Sequence, residues 1–299
     1  MLDGVTIYYP NQVETSSPTP YPWCIRGSGN NLTIQNVMML NPYLGVDFMT
    51  YPCGRHLIRG LFGQPLAIGI AVDQCYDVGR IMEVHFWPFW SQNANVYAFQ
   101  AANGVTLDLM RTDWEVVQDV FSWGYAIGVR FRYSPIAGLG GMNGQMSNIN
   151  FDNVTRGLQL LGTQSMGVHI SNLNIAQATP TAVSYGIEAQ PTNPSYLNVN
   201  GASFWGVTKS PVYWNSTGLL TLSNARFLSS WNTNNNGAAI EIAGGRAMIH
   251  DNYFKDLVGT AIKVNSGSSV DRIMICNNEL VGNTITNQGP HTIISNNDP

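Results

Sequence analysis

"LTLSNARF", residues 220–227, sets apolar side chains at alternate positions on either side of a polar bend. Alternation with a period of two marks a strand that buries one face. Asn tolerates left-handed φ more readily than most residues, so "SN" reads as a corner between two short strands. The same frame recurs in "LTIQNVMM" from Leu32, "NINFDNVT" from Asn148, "VHISNLNI" from Val168, "LNVNGASF" from Leu197, "AMIHDNYF" from Ala247 and "IMICNNEL" from Ile273. Between the copies lies a third short strand, such as "LAIGIAV" (66–72), "VTLDL" (105–109), "YGIEA" (185–189), "AAIEI" (238–242) or "TAIKV" (260–264). The copies follow one another at intervals of about 20–36 residues, a period that belongs to solenoids.

A coil of three short strands cannot bury its apolar face alone. Stacked coils can, because each strand then pairs in parallel with its equivalents above and below. The pattern therefore predicts an all-β chain: a single-stranded parallel β-helix of about ten to eleven coils, forming one domain over residues 1–299. Helical periodicity is absent. The expected corner column is Asn36, Gly60, Glu83, Asp119, Asn153, Asn172, Gly201, Asn224, Asp251 and Asn277, in which stacked Asn side chains can bond along the axis.

Composition narrows the partners. Only 11% of residues are charged, the formal net charge is −4, and 14 Lys plus Arg form no basic run, which argues against nucleic acid. No apolar stretch approaches the roughly 18 residues that insertion into a membrane requires, and "MLDGVTIYYPNQ" lacks the regions of a signal peptide. Cys24, Cys53, Cys75 and Cys276 are far apart, without metal-ligand spacing, and read as buried free thiols. No P-loop, zinc spacing or Ser/His/Asp order is present, so neither a metal nor a cofactor is expected. His85, His169 and His250 read as outward strand residues.

The Asn-bend coils, the "GxAIxV"-like strands and the opening "GVTIYYPNQ" resemble the right-handed parallel β-helices of the pectate-lyase-like superfamily, which includes polygalacturonases and phage tailspikes, over roughly residues 5–295. "VHFWPFW" (84–90) is similar to segments of tailspikes and related exoproteins. The tailspike likeness implies a homotrimer that binds or cleaves a bacterial surface polysaccharide, in an extracellular or virion-associated setting. Because "VTIYY" already reads as a strand and "HTIISNNDP" stops in a fresh coil, the expectation is a β-helix lacking native N-terminal and possibly C-terminal parts.

The longest insertions, 8–23, 87–104, 133–145, 190–196 and 229–237, all enter or leave the third strand. Long loops on a rigid scaffold are where function concentrates, so a groove is expected over that strand. Its outward side chains are Arg26, Asp47, Asp108, Arg130, Gln159, Glu188, Tyr213, Glu241 and Lys263. Glu188 and Glu241 fall two coils apart, ~9–10 Å at the spacing of paired strands. That suits an inverting glycosidase, whose carboxyls stand roughly 6.5–9.5 Å apart, with one as acid and one as base. The alternative is a cross-strand ion pair between Glu241 and Lys263. A second cluster holds Asp108, Arg111, Asp113, Glu115, Arg130 and Arg132. There Asp108 and Asp113 could form the hydrolytic pair, an Arg could act as the base of a lyase, or the whole could be a structural ion-pair network. Sugars pack flat C–H faces on aromatic rings, so Tyr213, Trp214 and Trp205 join Arg130, Arg132 and Lys263 as candidate substrate-binding residues, with Trp87, Trp90 and Trp231 beside the walls. A glycoside hydrolase is the leading expectation; a polysaccharide lyase and a non-catalytic glycan-binding or structural β-helix are the alternatives.

Overall fold

The computed structural model describes residues 1–177, 183–228, 237–255, 259–267 and 269–298. The chain is a parallel β-solenoid of about ten turns, and its described strands join in one continuous sheet. One ladder climbs from Trp23–Arg26 through Leu44–Phe48, Ile68–Val72, Val105–Leu109, Ile127–Phe131, Arg156–Leu160 and Tyr185–Ala189. It continues through the first residues of Ser210–Leu228 and Ala238–His250 to Thr260–Val264 and Thr284–Asn287. This is the third strand of each coil, hereafter the groove ladder. The bent pairs build the other two faces, and each rung is parallel because the chain returns to it only after a full turn.

The corners follow the predicted chemistry, with φ of 54° at Asn36, 55° at Asp119, 56° at Asn172 and 55° at Asn224. In one coil the predicted residue is wrong. Gln118 pairs with Ser147 and Val120 with Ile149, which sets Asn148, φ 56°, opposite Asp119. Asn153 also has positive φ, 53°, but it follows the strand Gly144–Asp152. "NINFDNVT" carries two Asn residues, and only register distinguishes them. Asn148 Nδ2 donates to Asp119 Oδ1 at 2.8 Å and Asn172 Nδ2 to Asn148 Oδ1 at 3.1 Å, so the corner amides do chain along the axis until Gly201 interrupts the column.

Inside, like side chains stack on like. The rings of Phe204, Phe227 and Phe254 lie 5.1 and 4.6 Å apart, nearly parallel. A second amide ladder follows the last corners, buried at Asn252 and Asn278: Asn252 Nδ2 donates to Asn278 Oδ1 at 2.9 Å, and Asn278 Nδ2 to the half-buried Asn297 Oδ1 at 2.8 Å. Each of these amides would be costly to bury unpaired.

One element departs from the sequence reading. Ala94–Asn103 is an α-helix within the insertion 87–104. Its residues, ANVYAFQAAN, are alanine-rich and suit a helix, and Asn93 caps it by accepting from the Asn95 N–H at 2.9 Å. At ten residues, with only Val96 and Gln100 buried, it shows too little apolar stripe to stand out against a two-residue periodicity. Gln100 docks it by accepting at 2.9 Å from Gln64 Nε2.

Candidate functional site

The outward column of the groove ladder is set by direct pairing. Arg26, Asp47, Ala71, Asp108, Arg130, Gln159, Glu188, Tyr213, Glu241, Lys263 and Thr286 occupy successive rungs. Its two halves differ in what the charges do.

In the first half the acids are consumed by the scaffold. Asp108 is fully buried. Arg130 donates to it through Nε at 2.9 Å and Nη2 at 2.6 Å, and Arg132 through both nitrogens at 2.9 Å. Two forked guanidiniums thus fill both oxygens. Burial pushes the carboxyl up, but Arg130 and Arg132 overcome it and hold the group below the usual carboxylate range. A buried carboxylate with both oxygens filled cannot offer or take a proton in the groove, so Asp108 is a clamp for the two arginines, which corrects its reading as an acid or base. Asp113 lies past the strand end, bound by Arg111 at 2.8 Å and by Gln164 Nε2 at 2.8 Å. Asp47 likewise ties down its own turn, accepting from the Met49 and Thr50 N–H groups and from Arg26.

The second half is open. Glu188 accepts from Arg156 Nε and from Gln190 Nε2 on the same oxygen, Oε2. Glu241 accepts from Asn265 Nδ2 at 3.0 Å and Lys263 Nζ at 3.4 Å, both on Oε1. Among the described residues, the other oxygen of each carboxylate has no hydrogen-bond donor. Between them on the ladder stands Tyr213, whose ring lies 5.9 Å from that of Tyr185, and the Arg156 guanidinium sits 5.7 Å over the Tyr185 ring. Burial, followed by Glu241 and Glu188, raises the Tyr213 phenol; burial and Glu188 raise that of Tyr185. Both phenols therefore remain hydrogen-bond donors at neutral pH.

Arg156 and Tyr185 escaped the sequence reading for a local reason. They stand three residues before the column, paired with each other, and a glycine follows each. A Cβ on Gly157 or Gly186 would run into the core side chains Ile175 and Phe204 respectively, so two successive positions face inward and strict alternation skips the outward residue before them.

The tryptophans fall elsewhere than expected. Trp214 is fully buried; it is core, and its candidacy as a substrate contact is withdrawn. Trp205 is exposed but ends the strand Tyr196–Trp205, on a bent-pair ladder. Trp87 packs against His85, Phe121 and Trp123 at 6.3, 6.0 and 5.7 Å, so "FWPFW" lies on the flank formed by the bent pairs. Trp231, with most of the insertion 229–237, lies outside the described residues. Among the described residues, metal-ligand chemistry gathers away from the groove, where His56, Cys75 and Glu115 bring their ligand atoms within 4.8 Å of one another.

The fold thus defines a parallel β-helix with a half-locked, half-open charged column. Comparison with known protein families, curated proteins and solved structures finds no match to this chain.

Proposed function

We propose that the protein binds a polysaccharide along the groove ladder and hydrolyses it between Glu188 and Glu241, as a β-helix of the pectate-lyase-like kind. The observation that carries this reading is that the two carboxylates flank Tyr213 on adjacent rungs, each with one oxygen free of donors among the described residues. Two rungs amount to ~9–10 Å, near the upper end of the range that leaves room for an attacking water. Tyr213 and Tyr185 offer ring faces and phenol donors to a sugar, and Arg130 and Lys263 on the same column, with Arg132 just past the strand end, extend the groove. The glycan belongs to a cell surface, and the protein meets it outside the cell or as part of a virion.

The test is a panel of neutral and uronic polysaccharides, followed by reducing ends and by the absorbance of unsaturated uronates. New reducing ends alone support hydrolysis. The absorbance would instead mean a lyase and direct attention to the arginines. A second reading is favoured by the ion pairs: Arg156 on Glu188 and Lys263 on Glu241 are also what a recognition surface needs, and binding without cleavage on every member of the panel would establish that reading. Association into a homotrimer is a separate proposal, drawn from the tailspike likeness and supported by the exposed apolar ladder Met248, Met274 and Ile293. Light scattering that returned the 32.8 kDa of a single chain would remove it.

A further inference from the structure

The corner between the groove strand and the bent pair holds a buried constellation that the groove does not use. Backbone bonds from Arg80 N to His56 O at 2.9 Å and from Val116 N to Gly79 O at 3.0 Å set His56, Gly79 and Glu115 in register on three successive coils. His56 and Glu115 are both fully buried, and they meet across the middle coil, with His56 Nε2 2.8 Å from Glu115 Oε1. They can meet only because the middle coil has no side chain there. A Cβ on Gly79 would fall 2.6 Å from His56 Nε2 and onto Glu115 Oε2. The middle coil instead supplies Cys75, fully buried, whose Sγ joins the other two groups within 4.8 Å.

Two details point to a ligand. Glu115 Oε2 is buried and has no hydrogen-bond partner among the described residues, a costly state for a carboxylate oxygen. His56 Nδ1 lies 2.9 Å from the Cys53 carbonyl; a carbonyl only accepts, so Nδ1 carries the proton and Nε2 is the nitrogen turned toward Glu115 and Cys75. A backbone carbonyl on one ring nitrogen is the usual way a metal-binding histidine is oriented. Burial disfavours a charged ring here, yet Glu115 and Cys75 push His56 above the ordinary histidine value.

We propose that His56 Nε2, Cys75 Sγ and a Glu115 carboxylate oxygen form a structural binding site for a divalent transition metal, zinc by the chemistry of the donors. A nitrogen, a sulphur and a carboxylate oxygen are zinc's ordinary ligands, and in a tetrahedral site such atoms stand about 3.3–3.6 Å apart. That is within reach of the separations present. Coordination replaces the proton in the hydrogen bond between His56 Nε2 and Glu115 Oε1 and the Cys75 thiol proton, the latter now given to the Asp77 carbonyl at 2.8 Å, and releases both to solvent. The metal would tie three coils together at one corner, in the stretch where the first half of the groove column is most heavily braced. This site is independent of the reading of the groove.

The test uses the whole chain. It is stripped with a chelator, dialysed, and titrated with zinc and with cobalt. One equivalent of tightly held metal, a cobalt spectrum with a thiolate charge-transfer band, and a rise in the thermal midpoint on adding equimolar zinc are expected. Cys75→Ser should abolish the band and, with Glu115→Gln, weaken zinc binding by more than about 100-fold, beyond the 10–100-fold typical of outer partners. Cys276→Ser, remote in the last coils, should leave the titration unchanged. Should the site variants fail to fold, the wild-type titration decides alone. A stripped protein that folds but takes up neither metal and keeps its midpoint in zinc overturns the proposal, as does a cobalt band that survives Cys75→Ser.

Discussion

Rung for rung, the groove column carries the same kind of side chain in its two halves, yet Asp108 and Glu188 differ in kind. Asp108 is 0% exposed and takes four guanidinium hydrogen bonds on two oxygens. Glu188 keeps 10% of its side chain exposed and takes its bonds on one oxygen. The cause is side-chain length and neighbours. An Asp at the outward position reaches barely past the backbone, where Arg130 on the next rung and Arg132 just beyond it close over it; a Glu reaches farther out and meets one Arg from the side. Charge in a groove column is thus no measure of chemistry; the number of free carboxylate oxygens is.

The largest expected effect asks whether the open half is open because it is loose. Trp214 and Tyr213 are chain neighbours on one rung, the first fully buried and the second on the outward column. Trp214→Ala should cost about 3–5 kcal/mol by leaving a cavity in a close-packed core, whereas Tyr213→Ala, which loses a half-buried ring and its contact with Tyr185, should cost about 1 kcal/mol and, if the proposed function holds, weaken glycan binding. Urea unfolding of both variants measures this. Equal and small losses would mean that the core under the open rungs is poorly packed, and the contrast between the halves would be one of order instead of chemistry.

Next comes the lock itself. Asp108→Asn leaves two guanidiniums side by side without their counter-charge, and removing one partner of a buried ion pair costs about 3–5 kcal/mol. The lower figure is expected, because Arg130 and Arg132 keep 25% and 24% of their side chains exposed and can turn to water. The pH dependence has a definite sign. The folded carboxyl is held below its unfolded value of about 3.9, so the unfolded chain binds the proton first as pH falls. The stabilisation is present above about pH 4 and is lost on acidification through the folded pKa. The stability difference between wild type and Asp108→Asn, followed by urea unfolding, should therefore shrink as the pH is lowered below about 4. A difference constant from neutral pH down to strong acid would show that the variant acts through packing and not through charge.

Much of this contrast was legible in the sequence and part was not. The coils, the corner residues and the outward column follow from a period of two and one bend per copy, because burial on one face dictates which residues alternate. Register was harder: Asn148 and Asn153 are chemically alike, and only pairing with Asp119 selects the first as the corner. Trp214 was misplaced for the converse reason, as the alternation that puts Tyr213 outward puts its neighbour inward. His56 and Cys75 were missed as a site because Glu115 lies two coils from the first and one from the second, beyond any spacing rule along the chain. The copies carry the signal, since residues just before Leu57, Arg80 and Val116 align as His, Gly and Glu once the bent pairs are stacked.

A smaller effect on stability than either Trp214→Ala or Asp108→Asn belongs to the carboxylates of the open half, and there it separates function from scaffold. Glu188→Gln and Glu241→Gln keep the shape of each side chain and remove the charge from the ion pairs with Arg156 and Lys263, whose carboxylates are 10% and 15% exposed, so each should cost about 1–2 kcal/mol, less than Asp108→Asn. If the pair works as acid and base, each change should lower turnover by about 10²–10⁴-fold with glycan binding retained. Cleavage at the wild-type rate in both variants would remove the pair from the mechanism. Since Asp108 is closed on both oxygens, the groove would then read as a surface for recognition, in which the open rungs hold the sugar and the locked rungs present arginines at fixed positions beside it.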